Sequence, residues 1–367
     1  MNDEHYDRLL VEAAQIKGVS LGKDAWRRLR KKRVAMLSLT LLAVLSVLAF
    51  FTPVLPLQSP RAVNTQSSFT PPAASPLFVE SLVFEGDPRA GDKLQAALDR
   101  DDFGELNALN RGMLTVRRAV FGRWCVNSVF GRDKLGRDLL SRLFWGARVS
   151  LVVGLVATLV SLIIGVSYGA TSGYLGGRVD NLMMRLVDVL YSIPFIFVVI
   201  FLITVLSAKE TKKFVDEQLG IDRITIFFFV VGAIYWLTMA RVVRGQVISL
   251  KNEQFVEAAR TIGAGGMRII FRHLVPNLLS IIIVYLTLTI PRVMLFEAFL
   301  SFLGLGVEAP DVSWGVLANE GVFAITPIKT LWWLIVFPGA ALGMTLFALN
   351  FLGDGLRDAL DPRMKNR

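Results

Sequence analysis

Asn252 to Asn277 reads NEQFVEAARTIGAGGMRIIFRHLVPN, a polar-edged segment between two long apolar runs. Asn252 suits a helix N-cap, and Glu253 suits the positive end of the helix that follows. Gly263 suits the C′ position just past the end of that helix. The spacing predicts a helix over 253–262, roughly 15 Å long. On it Phe255, Ala258, Ala259 and Ile262 share one face, while Glu253, Glu257 and Arg260 point elsewhere. Ala258 and Ala259 are small enough to admit another surface at close range. Gly263, Gly265 and Gly266 permit a sharp reversal. A second helix then starts near Met267 and should end before Pro276, because the residue preceding a proline disfavours helix. The product is a helix-turn-helix bracket. It reads either as a linker lying on a surface or as an element that docks on something.

Working outward, the flanking runs decide the class of protein. The chain has 367 residues, 53% of them hydrophobic, with a mean hydropathy of +0.53. Its apolar residues lie in stretches longer than the roughly 18 that mark a membrane-spanning helix. Six such spans are expected: Val34 to about Leu55, Val149–Ala170, Met183–Leu206, Ile224–Ile248, Asn277–Leu300 and Thr330–Leu352. Each can cross a hydrocarbon core of roughly 30 Å at 1.5 Å per residue. The fold class is therefore an all-α membrane protein.

The net charge of +10 does not point to nucleic acid. The basic residues flank apolar runs, as Arg27, Arg28, Arg30, Lys31, Lys32 and Arg33 do, which is the positive-inside pattern. Six spans place both termini on one side. The basic N-terminus, the segment 241–272 and the tail 357–367 are then expected to lie in the cytoplasm. Ala208–Arg223 dissents, with four basic residues on the outer side. The resulting organisation is a cytoplasmic segment 1–33, a first span 34–55, an enlarged extracytoplasmic insert 56–148, a core of five spans over 149–352 and a tail 353–367. The bracket occupies a cytoplasmic loop, 249–276. The insert opens with a proline-rich stretch that reads as an extended linker, followed by a helical patch near 93–109.

Several residues stand out inside the spans. Gly165, Gly169, Gly339 and Gly343 have the four-residue spacing that lets helix backbones approach. They serve either packing within the chain or contact with a second membrane subunit. Pro194, Pro291 and Pro338 interrupt spans and can kink them. Arg292 and Glu297 are ionisable at membrane depth, where charge is costly and often functional. Five residues of helix set them roughly 140° apart, so they should not pair. Snorkelling to the interface is the other reading.

Catalysis and metal binding find no support. Cys125 is the single cysteine, and His5 and His273 are the only histidines, so no ligand pair has metal spacing. No phosphate loop of the form G-x4-G-K-[S/T] is present. Residues 18–24 have their glycines one position too close, and Gly131 to Arg137 lacks the lysine. A secondary transporter would show inverted repeats and buried charge at mid-membrane. A membrane enzyme would need a nucleophile and base at depth. The best candidate there, Asp188 with Arg185, reads as a structural ion pair.

Glu257, Ala258, Ala259, Gly263 and Pro276 match the spacing of the EAA loop, and the segment resembles that of ABC importer permeases. Arg272 and His273, four and three residues before Pro276, with Asn277 after it, look like the oligopeptide/dipeptide branch. Gly136-Arg137-Asp138, Gly173-Tyr174 with Gly176-Gly177 and Asp180, the run Ser301 to Gly306 with Ser313-Trp314-Gly315, and the ending Gly353 to Asp358 are similar to the C-type subunit of that permease pair. The resemblance covers roughly 24–55 and 130–363 and leaves 56–130 unexplained.

The resemblance implies a type I importer permease fold and a place in a larger complex. The partners would be a B-type second permease, one or two ABC ATPases, an extracytoplasmic peptide-binding protein and membrane lipid. ATP and Mg2+ would sit on the ATPases, and no cofactor on this chain. Phe255, Glu257, Ala258, Ala259, Gly263, Arg272, His273 and Pro276 would form the ATPase-coupling site, with Glu257 making the polar contact, the two alanines packing and Gly263 turning the chain.

Overall fold

The computed structural model describes residues 21–72, 78–80, 108–122, 124–208, 223–307, 311–327 and 329–360. Most of the expected helical patch near 93–109 and the dissenting loop Ala208–Arg223 lie largely outside them. The chain opens with α1 (Leu21–Lys31) and α2 (Arg33–Phe50), followed by a 3-10 turn at Thr52–Val54. Within the insert lie α3 (Ala108–Phe121) and two short strands, β1 (Phe78–Glu80) and β2 (Trp124–Val126), paired antiparallel with Phe78 opposite Val126. An all-α chain was expected, so this ribbon is a small departure.

The core follows. It comprises α4 (Leu139–Leu175), α5 (Gly177–Ser192), α6 (Phe195–Ser207), α7 (Arg223–Leu250), α8 (Gln254–Thr261), α9 (Gly266–Ile269), α10 (Leu279–Phe302), α11 (Trp314–Phe323) and α12 (Trp333–Leu360). Among the described residues, α2, α4, α10 and α12 are long and apolar enough to cross a membrane. A fifth span results if α5 and α6 are taken together.

The expected unbroken span Met183–Leu206 is bent by 82° between α5 and α6. Pro194 explains the break, since it cannot donate into a helix and forces Ile193 into an extended conformation (ψ 124°). Pro291 and Pro338 instead lie inside intact helices. Helix α4 is much longer than the apolar run 149–170 that announced it. Its N-terminus is set by Asp138, whose carboxylate accepts from the Ser141 amide at 2.7 Å.

Helices α4 and α7 pack at very close range. A Cβ at Gly165 would lie 2.8 Å from the Trp236 carbonyl oxygen, one at Gly173 2.8 Å from that of Arg244, and one at Gly232 2.7 Å from that of Ala157. Gly165 and Gly169 therefore serve packing within the chain. Gly339 and Gly343 have nothing within 4 Å of where a Cβ would go. The second core brings α2, α4, α10, α11 and α12 around Trp314, Met294, Leu317 and Leu334.

The expected linker after the first span is tied down rather than free. Asn64 donates to Leu135 O (3.0 Å), Phe69 to Asp133 O (3.0 Å), and the Arg132 amide to Thr70 O (2.9 Å). Beside this seam Asp133 pairs with Arg137 and Arg142, each at 2.7 Å, and both arginines reach Glu320 of α11. Burial pushes the Glu320 carboxyl up, but Arg142 and Arg137 outweigh it and hold the group below its ordinary range.

Candidate functional site

The bracket is built on α8. Its N-cap is Glu253, one residue later than the expected Asn252, and no side chain bonds to the helix start. The C-terminal end is sharply defined. Gly263 has φ +85°, its amide donates to Arg260 O (2.9 Å), and the Ala264 amide reaches back to Ala259 O (3.0 Å). This pair of bonds is a complete Schellman closure, which only a residue at ease with positive φ completes without strain.

The face expected to pack outward is split. Val256 is fully buried and Ala259 nearly so, among Val243, Val247, Ile270 and Leu274. Ala259 therefore anchors the bracket to its own chain instead of presenting itself to a partner. Burying Val256 contributes on the order of 2 kcal/mol toward holding α8 in place. Phe255, Ala258 and Ile262 remain exposed on the opposite side, and Ile262 is 87% exposed. Met267 and Phe271 extend this apolar rim on the next segment. Glu257 is also exposed. The Arg260 guanidinium lies 5.5 Å from the Tyr174 ring at the end of α4, which braces the bracket from the side.

The second arm differs from expectation. It does not end before Pro276. After α9 the backbone widens into a π turn over Ile270–Leu274, passes through a helical turn at Val275–Asn277 and continues into α10. Val275 is helical (φ −57°, ψ −44°) despite preceding proline. The π turn shifts the hydrogen-bond register immediately before the proline. The Asn277 side chain also donates to His273 O at 2.6 Å. Arg272 and Pro276 are exposed and His273 is half-buried.

Around the bracket, charge pairs lock neighbouring elements. Arg244 holds Asp180 through two bonds of 2.6 Å, and Ser172 donates to the same carboxylate at 2.5 Å. Lys251 caps Gly173 O at 3.1 Å. Asp188 does not pair with Arg185 as expected. It meets Arg241 at 2.8 Å, fifty-three residues away. Sequence spacing carried no sign of that pairing, nor of Arg142 with Glu320.

The two intramembrane residues separate. Glu297 is fully buried and accepts from Ser301 at 2.7 Å, while Arg292 is exposed on the other side of α10. Glu297 does not snorkel.

Residues 161–366 match the family described as binding-protein-dependent transport system inner membrane component, and residues 20–72 match the N-terminal TM domain of oligopeptide transport permease C. The chain belongs to that inner-membrane transport family. It is 39% identical over 356 residues to the dipeptide transport system permease protein DppC of Bacillus subtilis (strain 168), covering 96% of this chain and 90% of that one. It is 49% identical over 236 residues to the oligopeptide transport system permease protein OppC of Salmonella typhimurium (64% and 72%). The OppC of Bacillus subtilis is 35% identical over 97% of this chain and 94% of its own. A match over 96% of the chain runs through the insert 56–148, so the two Bacillus relatives share the segment that family resemblance had left unexplained. As a member of this permease family the chain is a transport membrane component of multi-pass, inner-membrane type.

Proposed function

We propose that this chain is the C-type permease of an ATP-driven peptide importer and forms half of its translocation pathway. Six crossings fit this reading: α2, α4, the broken pair α5–α6, α7, α10 and α12. Both termini and the bracket then face the cytoplasm. The bracket seats on a partner ATPase through Phe255, Ala258 and Ile262, with Glu257, Arg272 and His273 at its polar edge. Gly263 sets the turn, and Pro276 the passage into α10. ATP and Mg2+ bind on the ATPases, and this chain hydrolyses nothing itself. A B-type permease completes the pathway, and a peptide-binding protein delivers cargo to the outer side. There the insert 56–148 gates the mouth or clamps that protein. Gly339 and Gly343, open on the surface of α12, are candidate contacts with the second permease.

The observation that carries this reading is the exposed apolar edge of α8 on a bracket whose other side is fixed in the core. An isolated chain gains nothing by holding Ile262 rigidly in water. Gentle detergent purification from native membranes is expected to recover a second permease and one or two ATPases with this chain. The recovered complex should take up labelled peptide into liposomes only with ATP and the binding protein. A chain that purifies alone and moves solute without ATP overturns the proposal.

A further inference from the structure

Helix α1 carries its open charge on one side. Lys23, Trp26, Arg27, Arg30 and Lys31 are exposed, and the first four of these recur every three or four residues, so they share a face. The other side is tied to the chain. Leu29 is buried with Ala35 and Ala359, and its Cδ1 lies 3.3 Å from where a Cβ on Gly355 would go. Arg28 is held by Asp24 at 2.7 Å, and Lys32 by Asp358 near the end of α12. Arg27, Arg30, Lys31 and Arg33 have no carboxylate partner among the described residues.

The helix that follows places this cluster at a membrane surface. Helix α2 has 18 residues, none of them charged after Arg33, and only 17% of it is buried inside the chain. Eighteen residues rise about 27 Å, against a hydrocarbon core of roughly 30 Å. The span has no length to spare, so Arg33 sits at its edge. Lys32 is extended (φ −92°, ψ 100°), which ends α1 and turns the chain between the two helices. A segment this basic does not enter hydrocarbon. With a single residue between it and the span, and with its other side seated on the end of α12, α1 is held in the headgroup layer.

We propose that α1 is a binding surface for anionic phospholipids, with Arg27, Arg30 and Lys31 on headgroup phosphate oxygens and Trp26 at the interface beside them. A guanidinium fork matches phosphate geometry, and basic clusters next to a span are drawn to anionic lipid. Tryptophan is favoured at that depth. The exposed face holds one large apolar group, so adhesion comes from charge rather than from deep insertion. Because Leu29 and Lys32 fix α1 to α12, the bound lipid is tied to the ends of both α2 and α12. This goes beyond the importer reading and stands without it.

The test uses the full chain with its native partners in nanodiscs of phosphatidylcholine. A trace of phosphatidylglycerol bearing a photoactivatable diazirine close to its glycerol is added, and cross-linked residues are mapped by mass spectrometry. The same probe with a phosphatidylcholine head is the comparison. Cross-links to residues 22–33 should favour the anionic probe by about tenfold at low salt, and the preference should shrink toward parity in about 0.5 M salt. Leu37 of α2, which is 71% exposed, should react equally with both probes and reports that the chain is folded and inserted. Combining Arg27→Gln, Arg30→Gln and Lys31→Gln should abolish the preference at 22–33 and leave Leu37 unchanged. Equal yields from the two probes on the wild-type chain overturn the proposal, as does a preference that survives high salt or the triple substitution. Cross-links at Leu37 with none at 22–33 mean that a protein partner covers the face, which also overturns it.

Discussion

Gly169 of α4 lies directly beneath the carbonyl oxygen of Ala240 in α7, so close that a Cβ at position 169 would overlap that oxygen. The neighbour is backbone and cannot rotate aside. Gly169→Val should therefore separate the two helices at a cost of about 1–3 kcal/mol or more. Gly339→Ala and Gly343→Ala should leave the stability of the isolated chain within about 0.5 kcal/mol. Thermal unfolding in detergent distinguishes them, and equal melting temperatures for Gly169→Val and Gly339→Ala would contradict the packing.

The Asp180–Arg244 fork joins α5 to α7 beside the bracket. Asp180→Asn removes one charge and leaves the guanidinium without its bidentate partner. Arg244 is about a third exposed, so water recovers part of the loss. A cost of about 1–2 kcal/mol is expected. Arg244→Lys should not restore the wild-type value, because an ammonium makes no planar fork. Full rescue by lysine, read by the same melts, would argue against a directional bond.

Three bracket variants should uncouple the complex without preventing insertion. Gly263→Pro forces φ from +85° to about −65° and breaks the closure of α8. Ile262→Asp removes the most exposed apolar group of the bracket, and Glu257→Lys inverts its charge. Each should reach the membrane at near wild-type levels, co-purify with at least tenfold less ATPase and fail to support uptake. Normal co-purification with Ile262→Asp would remove the apolar edge as the contact.

Burial pushes the Asp138 carboxyl up to about 7, against the opposing pull of the Ser141 amide and the Arg132 charge. A carboxyl raised on folding binds its proton more tightly in the folded state. Its contribution to stability is therefore fully present below its unfolded value and lost as pH rises through about 7. Between about pH 4 and 7 the loss approaches 1.4 kcal/mol per pH unit. Asp138→Asn keeps an N-cap and removes the titration. Its melting temperature should vary less with pH than that of the wild type, and parallel profiles would refute the assignment.

Much of the bracket could be read from the chain. The expected helix 253–262 is observed as Gln254–Thr261, and Gly263 takes the left-handed conformation its position implied. Local signals were enough there, because capping and reversal depend on a few adjacent residues. Arg292 and Glu297 also stand apart as helical geometry required. The direction in which Ala259 points was not legible. Helical spacing puts Phe255, Ala258, Ala259 and Ile262 on one broad face, and only contact with α7 and the π turn divides it into a buried and an exposed half. The Asp188–Arg241 and Arg142–Glu320 pairs depend on tertiary approach across many residues, which no local pattern encodes. Pro276 misled for the opposite reason: its local preference is real, but the π turn upstream and the continuing helix downstream overrule it.

The π turn at Ile270–Leu274 has a mechanical meaning. From Gly266 to Phe302 the chain runs as one nearly continuous rod, roughly 55 Å long, from the exposed edge of the bracket to the serines around Glu297. A rod of uniform α-helix would carry displacement at one end rigidly to the other. A π turn holds one surplus residue, and such turns inside α-helices frequently mark functional sites. The change of register lies at the bracket end of the rod, between the exposed apolar edge and the apolar length of α10. If the bracket seats on an ATPase as proposed above, its displacement must pass through this wider turn before it reaches the buried Glu297.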